Sequence, residues 1–173
     1  MKIAVTGHSR GIGKHIFDYF QSRHNVVGFS KSTGHDISKL SGRSEIIKQS
    51  VDADIFVNNA YNNYDDSQLE LLKSMVSQWD NTNKMIINVS SRYTQDNNAY
   101  CQSKIDLDKF CEDYIHNSLY IMNLKPGLTD TDRVSNIQSS NKMSTNDVTN
   151  VIDFAINNRN NFRIHNITFG KSC

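Results

Sequence analysis

The feature that most constrains this chain lies in its first thirteen residues. A short apolar run, Lys2-Ile3-Ala4-Val5-Thr6, leads directly into Gly7-His8-Ser9-Arg10-Gly11-Ile12-Gly13, and Ile12, Ile16 and Phe20 then recur at helical spacing. A strand, a glycine-rich turn and a helix in that order build an anion site. The glycines permit the tight turn and let a pyrophosphate approach the backbone, while the helix N-terminus presents free N–H groups and a partial positive charge. The spacing is GxxxGxG, not the GxGxxG of the general dinucleotide fingerprint.

The rest of the chain repeats the alternation. Strands are expected near 2–6, 25–30, 53–58, 84–90, 119–123 and 163–169. A short helix is expected near 42–50. Another has Leu69, Leu72, Met75 or Val76, and Trp79 on one face, opened by a Ser67/Glu70 capping box. A long helix over 98–117 carries Ile105, Phe110 and Ile115 among its apolar positions. The last helix starts near Ser144, with Asp147 as reciprocal cap, and buries Val148, Val151, Ile152 and Ala155. Alternating β and α implies an α/β fold, a doubly wound parallel sheet of the Rossmann type with helices on both faces. The 173 residues suit a single domain spanning the chain. A ligand is then expected beyond the carboxyl ends of the strands.

Composition removes several function classes. The net charge is +1 and no basic run occurs, so nothing attracts nucleic acid or an anionic membrane. The apolar stretch Ile3–Val5 is too short for a signal-peptide core, and no apolar run approaches a membrane span. Cys101, Cys111 and Cys173 form neither a disulfide framework nor a zinc motif, and the six histidines are scattered, so reduced thiols, a cytoplasmic location and no metal are expected. Asn recurs in pairs, at 58–59, 62–63, 97–98, 157–158 and 160–161, and this abundance is read as compositional rather than chemical.

Five motifs in order carry a family resemblance: Thr6-Gly7-His8-Ser9-Arg10-Gly11-Ile12-Gly13, Asn58-Asn59-Ala60, Asn88-Val89-Ser90-Ser91, Tyr100-Cys101-Gln102-Ser103-Lys104, and Lys125-Pro126-Gly127 with Thr129 and Thr131 behind it. Together they resemble the short-chain dehydrogenase/reductase pattern of TGxxxGIG, NNAG, a serine strand end, YxxxK and a PG segment, and the resemblance spans nearly the whole chain. It implies an oxidoreductase moving a hydride between nicotinamide and a small carbonyl or alcohol substrate. Tyr100 and Lys104, four apart on a helix, share one face. An ammonium beside a phenol lowers the phenol's pKa. Tyr100 would then be the general acid or base, Lys104 its electrostatic partner and ribose ligand, and Ser91 the hydrogen-bond donor to the substrate oxygen. Ser91 is preferred to Ser90 by the resemblance. The usual catalytic Asn falls at Asn63 by separation from Ser91, with Asn62 beside it.

The resemblance also implies which residues hold the cofactor. Gly7, Ser9, Arg10, Gly11, Ile12 and Gly13 would cradle the diphosphate, and Asn59, Ala60, Pro126, Gly127, Thr129 and Thr131 would flank the nucleoside and nicotinamide. Asp36 and Ile37 look like the pair that brackets the adenine. The second strand ends in Phe29-Ser30-Lys31-Ser32, with no acid to bind a ribose diol. Arg10 and Lys31, helped by Ser30 or Ser32, would instead hold a 2′-phosphate, which favours NADP(H) over NAD(H).

The chain departs from the pattern mainly by being short. The second strand runs almost directly into the Asp36 loop, so six strands are expected, in spatial order 2-1-3-4-5-6. Tyr61 replaces the family's Gly, and the polar segment from Leu128 to Met143 is a brief substrate lid, which implies an open site. An alternative reading is an NADP(H)-binding regulatory or redox-sensing module without turnover. A homodimer or homotetramer is expected from the apolar faces of the helices over 67–79 and 98–117.

Overall fold

The computed structural model describes residues 1–62, 65–114 and 118–171. Six parallel strands form one sheet: β1 (Lys2–Thr6), β2 (Asn25–Phe29), β3 (Ile55–Asn58), β4 (Met85–Val89), β5 (Tyr120–Pro126) and β6 (Asn166–Phe169). Their spatial order is β2-β1-β3-β4-β5-β6, as the shortened second unit requires. Five helices connect them: α1 (Gly11–Phe20), α2 (Leu40–Ser50), α3 (Ser67–Trp79), α4 (Ala99–Asp113) and α5 (Thr145–Asn158). This is a Rossmann-type doubly wound sheet.

Period-two alternation divides the core. Ile3, Val5, Val57, Ile87, Met122 and Leu124 lie on one face and pack with Ile16 and Phe20 of α1 and Val148 and Ile152 of α5. Ala4, Phe56, Ile86 and Ile121 lie on the other and pack with Ile46 of α2, Leu72, Met75 and Trp79 of α3, and Leu107 of α4. Strands buried on both faces read as continuous apolar runs, which is why IFVN and MIINV are uniformly buried.

Helix boundaries follow their caps, and two differ from the sequence reading. At α5, Ser144 accepts from the Asp147 amide at 3.1 Å while the Asp147 carboxylate accepts from the Ser144 amide at 2.8 Å, the expected reciprocal box. At α3 the Ser67/Glu70 box does not form. The Asp65 carboxylate takes the Ser67 amide at 3.0 Å and the Ser67 hydroxyl as well, which moves Ser67 from the cap position into the first turn. In α4, Asn98 caps the Cys101 amide at 2.9 Å, and the helix ends at Asp113. Ile105 is 42% exposed there, so Leu107 and Cys111 supply the buried face instead. Ile115 lies outside the described residues.

Candidate active site

The glycine turn stands at the carboxyl end of β1. Gly7 and Gly11 have φ of 74° and 57°, the left-handed region where a side chain is costly. Gly13 is required for a different reason: a Cβ there would meet the Gly7 carbonyl oxygen and Asn59 Nδ2, each at 2.4 Å. Thr6 ties the turn to β3, since its hydroxyl accepts from the amides of Asn59 and Ala60, both at 2.9 Å, while Asn59 Nδ2 donates to the Thr6 carbonyl at 3.0 Å. His8 turns inward. Its ring lies 5.1 Å from Phe17 and occupies the space a Cβ on Gly28 would need. Ser9 and Arg10 remain exposed at the start of α1, with Ile12 half-buried behind them.

At the end of β2, Ser30 is buried and its hydroxyl lies 2.8 Å from that of Ser32. Lys31 is 79% exposed, and its ammonium sits 3.2 Å from Asp36. Asp36 also accepts from the Ser38 hydroxyl at 2.7 Å and the Ser38 amide at 3.1 Å; the Ser38 hydroxyl bond leads in holding its carboxyl below the usual range. Ile37 is buried, and its carbonyl accepts from Arg43 at 2.8 Å. A shallow cavity of about 220 Å³ beside this loop is lined by Lys31, Gly34, Asp36, Lys39, Ser41 and Gly42.

Ser91 follows β4, and Tyr100 and Lys104 lie one turn apart on α4. Ser91 Oγ accepts from the Tyr93 amide at 3.0 Å, and Ser91 stands beside the Tyr100 phenol. Ser90 is buried, its hydroxyl without a hydrogen-bond partner among the described residues. The Tyr100 pKa differs from the sequence expectation. Burial raises it above the usual tyrosine value, and the neighbouring Ser91 side chain and the Arg133 charge only partly oppose that rise. Lys104 does not supply the expected lowering because its ammonium is turned elsewhere. Its Nζ donates to Gln68 Oε1 at 2.7 Å and to the Val89 carbonyl at 3.3 Å, and lies 5.7 Å from the centre of the Tyr100 ring. Burial pushes Lys104 down to about 7, with Arg133 adding to the fall and Asp108 opposing it.

Gln68 is a site residue that the sequence reading missed. Its Nε2 donates to the carbonyls of Asn58 at 2.8 Å and Val89 at 2.9 Å, which leaves Oε1 facing Lys104. Behind it runs a ladder of asparagines at matching register on four neighbouring strands: Asn58, Asn88, Asn123 and Asn166. Asn58 donates to Asn88 at 3.0 Å and Asn88 to Asn123 at 2.9 Å. Asn123 then donates to Asp108 of α4 at 2.8 Å and to Asn166 at 3.3 Å. For these four asparagines the explanation is chemical, not compositional. The clue available in the sequence was Asn inside β-branched runs, where its β propensity is poor.

Tyr61 and Arg133 complete the mouth. Tyr61 stands edge-on to Tyr100 with ring centres 5.2 Å apart. Lys104 Nζ lies 4.7 Å and Arg133 Cζ 4.8 Å from the Tyr61 ring centre, and Arg133 Cζ is 5.6 Å from that of Tyr100. Arg133 belongs to a single 3₁₀ turn (Asp132–Val134) in the lid. The lid is pinned at its base by a bridge between Thr129 and Met143 and by the Asp130 amide on the Met143 carbonyl at 2.7 Å. Pro126 ends β5, and the Gly127 amide donates to the Phe169 carbonyl at 2.8 Å. Thr131 approaches the glycine turn, its methyl 3.5 Å from where a Cβ on Gly11 would stand. Asn63 lies outside the described residues. Asn62 donates to Asp65 at 2.6 Å. Among the described residues, no group of three His, Cys, Asp or Glu side chains could hold a metal, and no helix is long and apolar enough to cross a membrane.

The strand order and the glycine turn at β1 are those of the Rossmann-type fold of short-chain dehydrogenases/reductases. The chain is similar to an alcohol dehydrogenase from the archaeon Thermococcus sibiricus complexed with 5-hydroxy-NADP (TM-score 0.78, 15% identity, covering 98% of this chain and 96% of that one). It is also similar to a 3-alpha-hydroxysteroid dehydrogenase from Pseudomonas sp. B-0831 complexed with NADH (0.81, 15%, 98% and 94%). A short-chain dehydrogenase/reductase from Vibrio parahaemolyticus matches over 100% of both chains (0.78, 16%). No protein-family model matches the sequence, and no curated protein does. At these identities the likeness is one of fold.

Proposed function

We propose that this chain is an NADP(H)-preferring oxidoreductase that interconverts a carbonyl compound and the corresponding alcohol. The observation that carries this reading is the placement of Ser91 beside the Tyr100 phenol, with Lys104 one turn along α4, at the same end of the sheet as the glycine turn. A binding turn alone needs neither hydroxyl.

The glycine turn fits a dinucleotide. The crowding at Gly7 and Gly13 leaves no room for side chains where a diphosphate meets the backbone, and the exposed face of Gly11 is open except for Thr131. Gly7, Ser9, Arg10, Gly11, Ile12 and Gly13 would hold the diphosphate. Asn59, Ala60, Asp36 and Ile37 would flank the adenosine, and Pro126, Gly127, Thr129 and Thr131 the nicotinamide side. When bound, such a cofactor supplies or accepts the hydride. In reduction Tyr100 donates its hydroxyl proton to the substrate oxygen, and Ser91 hydrogen-bonds the same oxygen as charge gathers on it. Lys104, held by Gln68 and Val89 with its Nζ 5.7 Å from the Tyr100 ring centre, would turn its third N–H to a ribose hydroxyl. With Tyr100 raised by burial, its hydroxyl is protonated at neutral pH, which favours reduction there.

The preference for NADP(H) is supported by the missing acid at the end of β2 and by the exposed Arg10 and Lys31. A 2′-phosphate would compete with Asp36 for Lys31. Titration with NADPH and NADH tests this. NADPH is expected to bind at least roughly tenfold tighter, and an Arg10→Ala, Lys31→Ala double variant to erase most of the difference. Equal affinities would refute the preference. One observation favours the module without turnover: Lys104 is bonded to Gln68 and Val89, with its Nζ turned from the Tyr100 hydroxyl. Turnover that depends on Tyr100 would exclude that reading.

A further inference from the structure

We infer that the substrate carries a carboxylate several atoms away from its reacting carbonyl, and that Arg92 is the residue that binds it. The inference rests on the proposed oxidoreductase reading and names the substrate class of that same site.

Arg92 follows Ser91 directly, and strand pairing continues past β4 to hold it. The Ser90 amide donates to the Leu124 carbonyl at 2.8 Å and the Arg92 amide to the Pro126 carbonyl at 2.9 Å, so the Arg92 backbone is fixed beside the end of β5. Its side chain crosses that end to reach β6. A Cβ on Gly170, the residue after β6, would stand 2.5 Å from Arg92 Nη1 and 3.8 Å from its Cζ. The φ of Gly170 is not in the left-handed region, so its backbone does not call for glycine. What the missing side chain gives is room for the guanidinium. Gly127 lies against the same place: a Cβ there would meet the Gly170 Cα at 3.2 Å and Met143 Sδ of the lid base at 3.7 Å. The ends of β5 and β6 therefore make a floor of bare backbone. It begins beside Ser91, where the proposed function puts the substrate oxygen, and runs away from the glycine turn at β1. That is the side of the site left to the substrate.

Charge decides what lies on this floor. The Arg92 guanidinium is exposed and makes no hydrogen bond or ion pair with the described residues. The acids of the adjoining segments have other partners: Asp96 accepts from the Tyr93 hydroxyl at 2.7 Å, and Asp130 pairs with Lys142 at 3.2 Å. Lys171, next after Gly170, donates to the Ser140 carbonyl of the lid at 2.8 Å, so a second cation stands at the same strand end. A planar carboxylate matches the edge donors of a guanidinium in pairs, whereas a neutral substrate leaves them to water. Spacing sets the distance. Neighbouring strands lie about 4.8 Å apart, so the end of β6 stands roughly 10 Å from that of β4. A paired carboxylate and guanidinium take up about 4 Å of that span, carbon to carbon. Roughly 6 Å remains between the carboxylate and the reacting carbon, the reach across a para-substituted ring.

The test compares 4-formylbenzoate with its methyl ester, reduced with NADPH by the full chain and by Arg92→Met and Gly170→Val. The ester is the more electrophilic aldehyde, so intrinsic reactivity works against the expected result. The native protein is expected to show kcat/KM about fivefold to thirtyfold higher for the acid, the size of one charge-assisted contact partly screened by water. The ratio should fall to near one or below in Arg92→Met. Gly170→Val keeps the charge but displaces it from its seat, and should lower the ratio as well. A native ratio that favours the ester, or one that either variant leaves unaltered, overturns the inference while the oxidoreductase reading stands. Calorimetry gives a readout that does not need turnover: Tyr100→Phe protein with NADP⁺ is titrated with 4-formylbenzoate. Binding that disappears on adding Arg92→Met supports the inference even if neither aldehyde is reduced. Absence of binding, or binding indifferent to Arg92, refutes it. Weakened NADP⁺ binding in Arg92→Met, with no change in the acid-to-ester ratio, would assign Arg92 to the cofactor and likewise refute it.

Discussion

Lys104 is 3% exposed, and the protein holds it there with a single side-chain acceptor and one carbonyl. The folded chain lowers its pKa from the ordinary 10.5 to about 7. Above about pH 10.5 the side chain is neutral in both states and costs nothing. As pH falls from there towards 7, the unfolded chain binds a proton that the folded chain resists, so stability is lost across that window and the loss is complete below about 7. Lys104→Met is therefore expected to raise stability at pH 7 by an amount on the order of a few kcal/mol, seen as a higher melting temperature, and to lose that advantage towards pH 10.5. Thermal melts across this range check it; a variant less stable at pH 7 than at pH 10, relative to the native chain, would contradict it. Gln68 acts through Lys104 and is a positioning residue. Gln68→Leu removes its only side-chain acceptor, so the pKa that Lys104 imposes on the pH–kcat profile should move further down, and turnover should fall roughly tenfold or more. Gln68→Glu supplies a carboxylate and should move that pKa up. A profile unmoved by either change would reduce Gln68 to a packing role.

At the scale of elements, the strands and their caps were largely legible because local chemistry writes them. Gly13 is forced by the Gly7 carbonyl, and Ser144/Asp147 form the box their spacing implies. Boundaries slipped where a neighbouring side chain competed, as Asp65 does for the amide and hydroxyl of Ser67. The asparagine ladder was not legible, because its bonds join residues such as Asn58 and Asn88 across 30 positions, and strand order must be known before the register appears. Gln68 was hidden for the same reason: what makes it important is Lys104, 36 residues away. The ladder also makes a prediction. Asn88→Leu removes one of the two bonds made by the Asn58 side-chain amide and leaves Asn123 Oδ1 without its Asn88 donor in a buried layer, and should cost about 2–4 kcal/mol. Chemical denaturation measures this. A loss under ~1 kcal/mol would mean the ladder is replaceable packing.

For the whole molecule, the six strands hold the glycine turn, the Ser91 strand end and α4 in one frame. The Ser91–Tyr100–Lys104 grouping could be read from motif order, since the fold brings strand ends together at one edge. Tyr61 and Arg133 could not, because their meeting depends on how the lid, 128–143, returns over the sheet. On the apolar faces of α3 and α4 that suggested oligomers, Leu72, Met75, Trp79 and Leu107 are covered within the chain while Ile105 stays 42% exposed. Sedimentation velocity reads the oligomeric state directly. The central claim is that Tyr100 serves as acid and base in nicotinamide-dependent carbonyl chemistry. Its most direct test is the rate of NADPH oxidation by purified protein with a panel of aldehydes, ketones and oxo acids, set against Tyr100→Phe under the same conditions. The account predicts turnover with at least one carbonyl that falls by a factor of roughly 10² or more in the variant, while NADPH affinity is retained. Turnover that is equal in both proteins, or NADPH binding without turnover on any carbonyl, would contradict it.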